Sequence, residues 1–219
     1  FSLVFGLFPL SFIAGNMMVD FNLILLIISA ILVFKNKIFK IEFFTLDKFV
    51  LSFFFVVLFS GVLSDIDLYD TKRTFKGVFS STTKSIFFFR FLLLYFVLRY
   101  LIEKKELNLR IFFILSTFAV FFVSIDIIFQ YFYGKDIFGY VKDGRKLSGP
   151  FGDELIAGSF IQRFSLFSFF IIPIFFNKIN SNKFFKYLIP IIFIIFFSSL
   201  ILSGNRMPTI MFLFSIFLI

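Results

Sequence analysis

The sequence predicts an all-α fold, a polytopic bundle of membrane-crossing helices, and three observations carry that expectation. Hydrophobic residues make up 60% of the 219-residue chain. The mean hydropathy is +1.02, well outside the range of water-soluble domains. The apolar residues also fall in runs close to the ~20 residues that cross a bilayer, with the charges gathered between them.

On the length rule we read about eight hydrophobic segments, at 1–14, 19–34, 49–64, 85–102, 109–132, 155–176, 187–203 and 207–219. No repeat period and no inserted water-soluble domain emerge, so residues 1–219 are expected to form a single membrane domain. The chain starts at Phe1 rather than Met and stops at Ile219 inside an apolar run. It is therefore expected to be a piece of a longer protein, its first and last segments cut short. Phe1–Ala14 lacks the charged leader of a signal peptide.

Composition narrows the chemistry. The 45 Phe accompany only four Ala and no Trp, His or Cys. An AT-rich coding sequence produces that profile, and Phe serves well facing lipid, so the aromatics are not read as a cofactor site. Without Cys there are no disulfides or thiolates. Without His the commonest metal ligand and the usual general base are missing. The carboxylates form no obvious cluster, so no metal and no cofactor are expected. In loop 65–84 the spacing of Asp65, Asp67 and Asp70 superficially resembles a calcium loop, but the central Gly and terminal Glu are missing. A solvated loop, salt-bridged internally to Lys72 and Arg73, is the expectation there. Nothing points to nucleic acid; membrane lipid is the surrounding partner.

Orientation follows from Lys and Arg in the loops. Loops 35–48, 99–110 and 177–186 fall on one side and carry 11 basic residues, against nine on the other. The first set is assigned to the cytoplasm. Nine cations on an outer face that should be depleted of them suggest an anionic ligand there. Arg145 and Arg206 stand out, because AT-rich codons favour Lys, and an Arg kept in a tight turn asks for the guanidinium fork.

Three charges fall inside hydrophobic segments: Arg90, Asp126 and Arg163. At 1.5 Å per residue they lie about 9, 9 and 12 Å from the outer ends of their segments. Such residues pair with one another or serve function, so Asp126 is expected to pair with Arg90 or Arg163. Gln130, four residues after Asp126, shares its helix face.

The stretch Lys142 to Arg163 is the longest polar interruption in the C-terminal half. With the orientation above, helices starting near Asp153–Leu155 and near Met207 both aim N-termini at the outer surface. Asp153 fits an N-cap, and Pro208 an early helical position. Arg145 precedes one terminus and Arg206 the other, while Gly144, Gly149 and Gly152 let backbone approach a ligand closely. Two arginines and two helix N-termini suit a diphosphate.

Two motifs here carry a resemblance. R-K-L-S-G-P-F-G-D-E, Arg145 to Glu154, is similar to the arginine signature of the O-antigen ligase and polymerase group. L-S-G-N-R-M-P, Leu202 to Pro208, resembles that group's Ser-Arg turn, and D-I-I-F-Q-Y-F-Y-G-K-D-I-F-G from Asp126 looks like the lead-in to its arginine loop. The resemblance implies a GT-C-like fold in the bacterial inner membrane. It implies a metal-independent glycosyltransferase that moves a glycan from undecaprenyl diphosphate to an acceptor hydroxyl, on lipid A-core or a growing glycan, at the periplasmic face. Arg145 and Arg206 would be the catalytic cations. Gly149, Arg163, Gln130, Asp153, Glu154 and Asn205 would line the substrate. The ligases carry a large periplasmic loop with a functional His; none occurs here, and such a loop is expected beyond Ile219. Asp153-Glu154 in place of a Pro-Asn pair leans toward the polymerase-like branch without choosing it. A transporter or lipid flippase is the alternative, and a membrane protein with no catalytic role the third reading.

Overall fold

The computed structural model describes residues 1–39, 42–70, 80–141, 146–176 and 183–218. Among them the regular elements are all helical: α1 (Ser2–Gly6), α2 (Phe8–Ala14), α3 (Asn16–Phe34), α4 (Thr45–Asp70), α5 (Ser80–Glu103), α6 (Leu109–Tyr133), α7 (Ala157–Phe176), α8 (Lys183–Leu202) and α9 (Arg206–Phe217). Short 3-10 turns lie at Lys35–Phe39 and Gly149–Phe151. Among the described residues four stretches are long and apolar enough to cross a membrane: Asn16–Phe34, Thr45–Ile66, Ser81–Glu103 and Leu109–Tyr133. Large apolar side chains such as Phe49, Phe53, Phe55 and Phe59 of α4 point outward, as befits a helix solvated by lipid rather than water.

The helix ends depart from hydropathy where polar residues finish a turn. Segment 49–64 extends to Thr45–Asp70, and segment 1–14 divides at Leu7, with Pro9 in the first turn of α2. There its missing N–H leaves no bond unmade.

By internal contacts the chain divides into two compact units, Phe1 with Leu23–Leu107, and Ser2–Asn22 with Asn108–Ile219. The first unit is built on the α4–α5 hairpin, and polar clasps hold both its ends. At one end Asp47, itself buried, accepts from the Phe44 N–H at 2.6 Å, from the Tyr95 hydroxyl at 2.6 Å and from the Arg99 guanidinium. The bond to Phe44 is the reach-back half of a capping box. At the other end Asp65 accepts from the N–H groups of Ser81 (3.1 Å) and Thr82 (2.8 Å), satisfying the first turn of α5 from across the hairpin. Asp65 thus belongs to α4 rather than to a salt-bridged loop. Residues 71–79, with Lys72 and Arg73, lie outside the described residues. Between the clasps Gly61 lets the helices approach, because a Cβ there would run into Ser85 Oγ.

Removing Asp47 strands three donors at once. Asp47→Ala is therefore expected to lower the thermal unfolding temperature in detergent more than Tyr95→Phe, which removes a single donor. Equal losses would show that Tyr95 alone ties the clasp.

The second unit packs around α6. Val120, Val123 and Ile127 of α6 form one core with Ile161 of α7, Phe196 and Leu200 of α8, and Phe212 of α9. The ends of these helices build the region described next.

Candidate functional site

The C-terminal end of α6 turns on Gly134, whose φ of 75° places it in the left-handed region and whose N–H donates to the Gln130 carbonyl at 3.0 Å. The chain then makes a tight excursion, closed by an isolated antiparallel bridge between Lys135 and Val141. Asp136 stabilises it, accepting the Tyr140 N–H at 2.5 Å. Residues 142–145, Arg145 among them, lie outside the described residues.

From Lys146 the chain runs over the end of α6. Gln130, fully buried, accepts the Gly149 N–H at 3.0 Å and donates to the Tyr140 carbonyl at 3.3 Å. Gly149 has φ 55°, and a Cβ there would stand 3.1 Å from Ile127 Cγ1, so both conformation and space call for glycine. Gln130 was expected to bind substrate. Its amide instead fastens the 146–151 stretch to α6. Gln130→Leu should strand a buried N–H and a carbonyl and cost about 2–6 kcal/mol, at ~1–3 kcal/mol per group. Unfolding that tracks the unmodified protein within ~0.5 kcal/mol would refute that role.

The second strand of the site is the turn between α8 and α9. Gly204, at φ 71°, ends α8, and Asn205 in extended conformation opens α9. Arg206, Met207 and Pro208 are the first three helical residues, so Pro208 removes an N–H that needs no intrahelical partner. This turn lies against the 146–156 stretch: the Leu147 N–H donates to the Ser203 carbonyl at 3.4 Å, and Asn205 Nδ2 donates to the Leu155 carbonyl at 3.2 Å. Two motifs some 60 residues apart in sequence are thereby brought side by side.

Beside them opens a cleft of ≈ 970 Å³, lined among others by Lys146, Ser159, Asn205, Arg206, Pro208 and Thr209. Among the described residues no carboxylate lines it. The described cations Lys146 and Arg206, the latter on the first turn of a helix whose dipole is positive there, give the cleft an anion-attracting field. Arg206 is exposed and takes part in no hydrogen bond or ion pair among the described residues.

Several expected placements change. Helix α7 begins at Ala157, so Asp153 is four residues short of it and is not its N-cap; with Glu154 it stands exposed in the preceding turn, away from the cleft lining. Arg163 lies on the exposed face of α7, six residues from its start. Asp126 is fully buried, and neither Arg90 nor Arg163 satisfies it: Oδ1 accepts the Ile137 N–H at 2.8 Å and Oδ2 has no hydrogen-bond partner among the described residues. Arg90, in α5 of the other unit, stands over the Phe91 ring at 5.1 Å. No group of three or more metal-ligating side chains occurs among the described residues.

Sequence reasoning missed Lys146, Ser159 and Thr209. Lys146 was visible as the neighbour of Arg145. Thr209 sits three residues after Arg206, on the same helix face. Nothing in the sequence marks Ser159 beyond its place two residues into α7.

Comparison with protein families, with characterised proteins and with solved structures finds no match.

Proposed function

We propose that this chain is part of a lipid-linked glycan transferase of the O-antigen ligase and polymerase type. In this reading the apolar segments, eight in all, form a GT-C-like bundle in a bacterial inner membrane. The cleft at Lys146 and Arg206 faces the periplasm and receives the diphosphate of an undecaprenyl-diphosphate-linked glycan. The oxygen of an acceptor hydroxyl, on lipid A-core or a growing glycan, bonds to the anomeric carbon. The bond from that carbon to the diphosphate breaks, undecaprenyl diphosphate leaves with the electron pair, and the proton lost by the hydroxyl passes to the departing diphosphate or to water. Cations beside the departing diphosphate stabilise charge that grows in the transition state, with no metal at the reacting atoms.

The observation that supports the reading is the joining of the Lys146–Leu155 stretch to the Ser203–Arg206 turn beside a cleft whose described lining holds two cations and no carboxylate. A site made of one motif alone would offer one helix end and one charge. Joined, the motifs bring Lys146 and Arg206 to one cleft. Its test is the surface polysaccharide of cells that carry Arg145→Ala or Arg206→Ala in the full-length protein. Loss of long chains with normal membrane insertion is expected. Normal ladders from both variants would sink the proposal.

A further inference from the structure

A second feature lies beneath the site rather than in its cleft. Asp126 and Asp136 are respectively 0% and 2% exposed, and each uses only one carboxylate oxygen. Asp126 Oδ1 takes the Ile137 N–H at 2.8 Å, and Asp136 Oδ1 takes the Tyr140 N–H at 2.5 Å, so both carboxylates hold the same five-residue turn. Oδ2 of each is buried without a hydrogen-bond partner among the described residues. Asp136 immediately precedes Ile137, so the peptide that Asp126 binds is the one Asp136 adjoins.

That arrangement is unfavourable as it stands. A buried carboxylate needs pairing or full hydrogen bonding, and here two carboxylates are buried against one turn. The cover over Asp126 Oδ2 is bare backbone: a Cβ on Gly149 would lie 3.6 Å from it, and φ 55° there disfavours any side chain. Gln130, the other polar group at hand, is spent on Gly149 and Tyr140. Two negative charges with an unused oxygen apiece call for a positive charge of two, and oxygen-only donors select a hard divalent ion.

We propose that Asp126 and Asp136 together bind one divalent cation, and that this ion pins the Gly134–Val141 turn to the end of α6. Ca²⁺ fits better than Mg²⁺. Ligands from an irregular turn suit its flexible coordination, whereas Mg²⁺ demands near-octahedral geometry. Backbone carbonyls and water complete the set. The ion is structural; neither carboxylate lines the cleft, so this site stands or falls apart from the proposed transfer reaction.

The test uses full-length protein in detergent, stripped with EDTA and titrated with Ca²⁺, with Mg²⁺ in a parallel arm. Calorimetry should find one saturable Ca²⁺ per chain. At Ca²⁺ a hundredfold above Kd the unfolding temperature should rise by about 5–10 °C. Asp126→Asn and Asp136→Asn should each abolish binding, and Glu103→Gln, in the other unit, should keep it. Amide exchange in the unmodified protein gives a readout that no substitution can confound: Ca²⁺ should slow exchange at Ile137 and Tyr140. The proposal is overturned by the absence of saturable binding of either ion, by binding that both Asn variants retain, or by Ca²⁺ protection that spares these two amides.

Discussion

If the proposed transferase reading holds, replacing Arg206 with alanine should lower kcat/KM for glycan transfer by about 10²–10³-fold, with the protein still folded and inserted. The size follows from where the guanidinium sits. Removing one preorganised donor from a site that stabilises developing charge typically has an effect of that order. Arg206 occupies the first turn of α9, where the helix dipole reinforces its charge. It has no intramolecular partner among the described residues to satisfy it otherwise. Because it is exposed and supports no packing, its removal leaves the core of Val123, Ile161 and Phe196 untouched. Arg206→Lys should recover part of the rate, since ammonium keeps the charge and loses the planar fork that two phosphate oxygens engage. Lys146→Ala should lower the rate about tenfold, as expected for a point charge at the cleft wall. Reconstituted protein with a purified lipid-linked donor gives the rates, and size-exclusion profiles report folding. An Arg206→Ala enzyme that turns over at the unmodified rate would remove the cleft from the mechanism.

What the sequence made legible, and what it hid, divides along physical lines. Apolar runs near bilayer length identified the helices, because burial in lipid leaves the backbone no alternative. Their ends were harder to read. Asp47 and Asp65 look like loop residues by hydropathy, yet each is drawn into α4 by hydrogen bonds to groups distant in sequence, Arg99 and Thr82. The proximity of the two motifs was legible from topology alone, since both lie at helix ends on one side. The partners of single side chains were not. Asp153 was assigned as a helix cap because Asp before an apolar run usually is one. The following turn spends Asp153 to Ile156 before α7 begins. For Asp126, charge complementarity suggested an arginine. The backbone of the Asp136–Tyr140 turn reaches it first, through Ile137, a contact that depends on the path of the chain after Gly134.

Gly158→Ala should disable the proposed transfer from a distance, through the joint between the motifs. Gly158 lies one residue into α7. A Cβ there would stand 2.6 Å from Ser203 Oγ and 2.9 Å from both Cβ and Nδ2 of Asn205. None of these atoms can retreat freely. Ser203 is fully buried with its hydroxyl bonded to the Leu200 carbonyl at 2.7 Å, and Asn205 Nδ2 is committed to Leu155. The added methyl must therefore push α7 and the 203–205 turn apart, at a cost of about 1–3 kcal/mol as an overpacked contact. The same movement breaks the Asn205–Leu155 bond and shifts Arg206, the next residue along. A displacement near 1 Å is enough to reduce a positioned reaction by ~10²-fold. Activity should thus fall further than stability, which drops by only ~3–10 °C in unfolding temperature. Ser203→Ala removes the nearest clashing atom, so the double variant should be more stable than the sum of the single effects, with a coupling of ~0.5–3 kcal/mol. Strict additivity would mean that α7 and the turn do not meet at Gly158. Rate and stability falling in proportion would mean that Gly158 supports the fold without setting the position of Arg206.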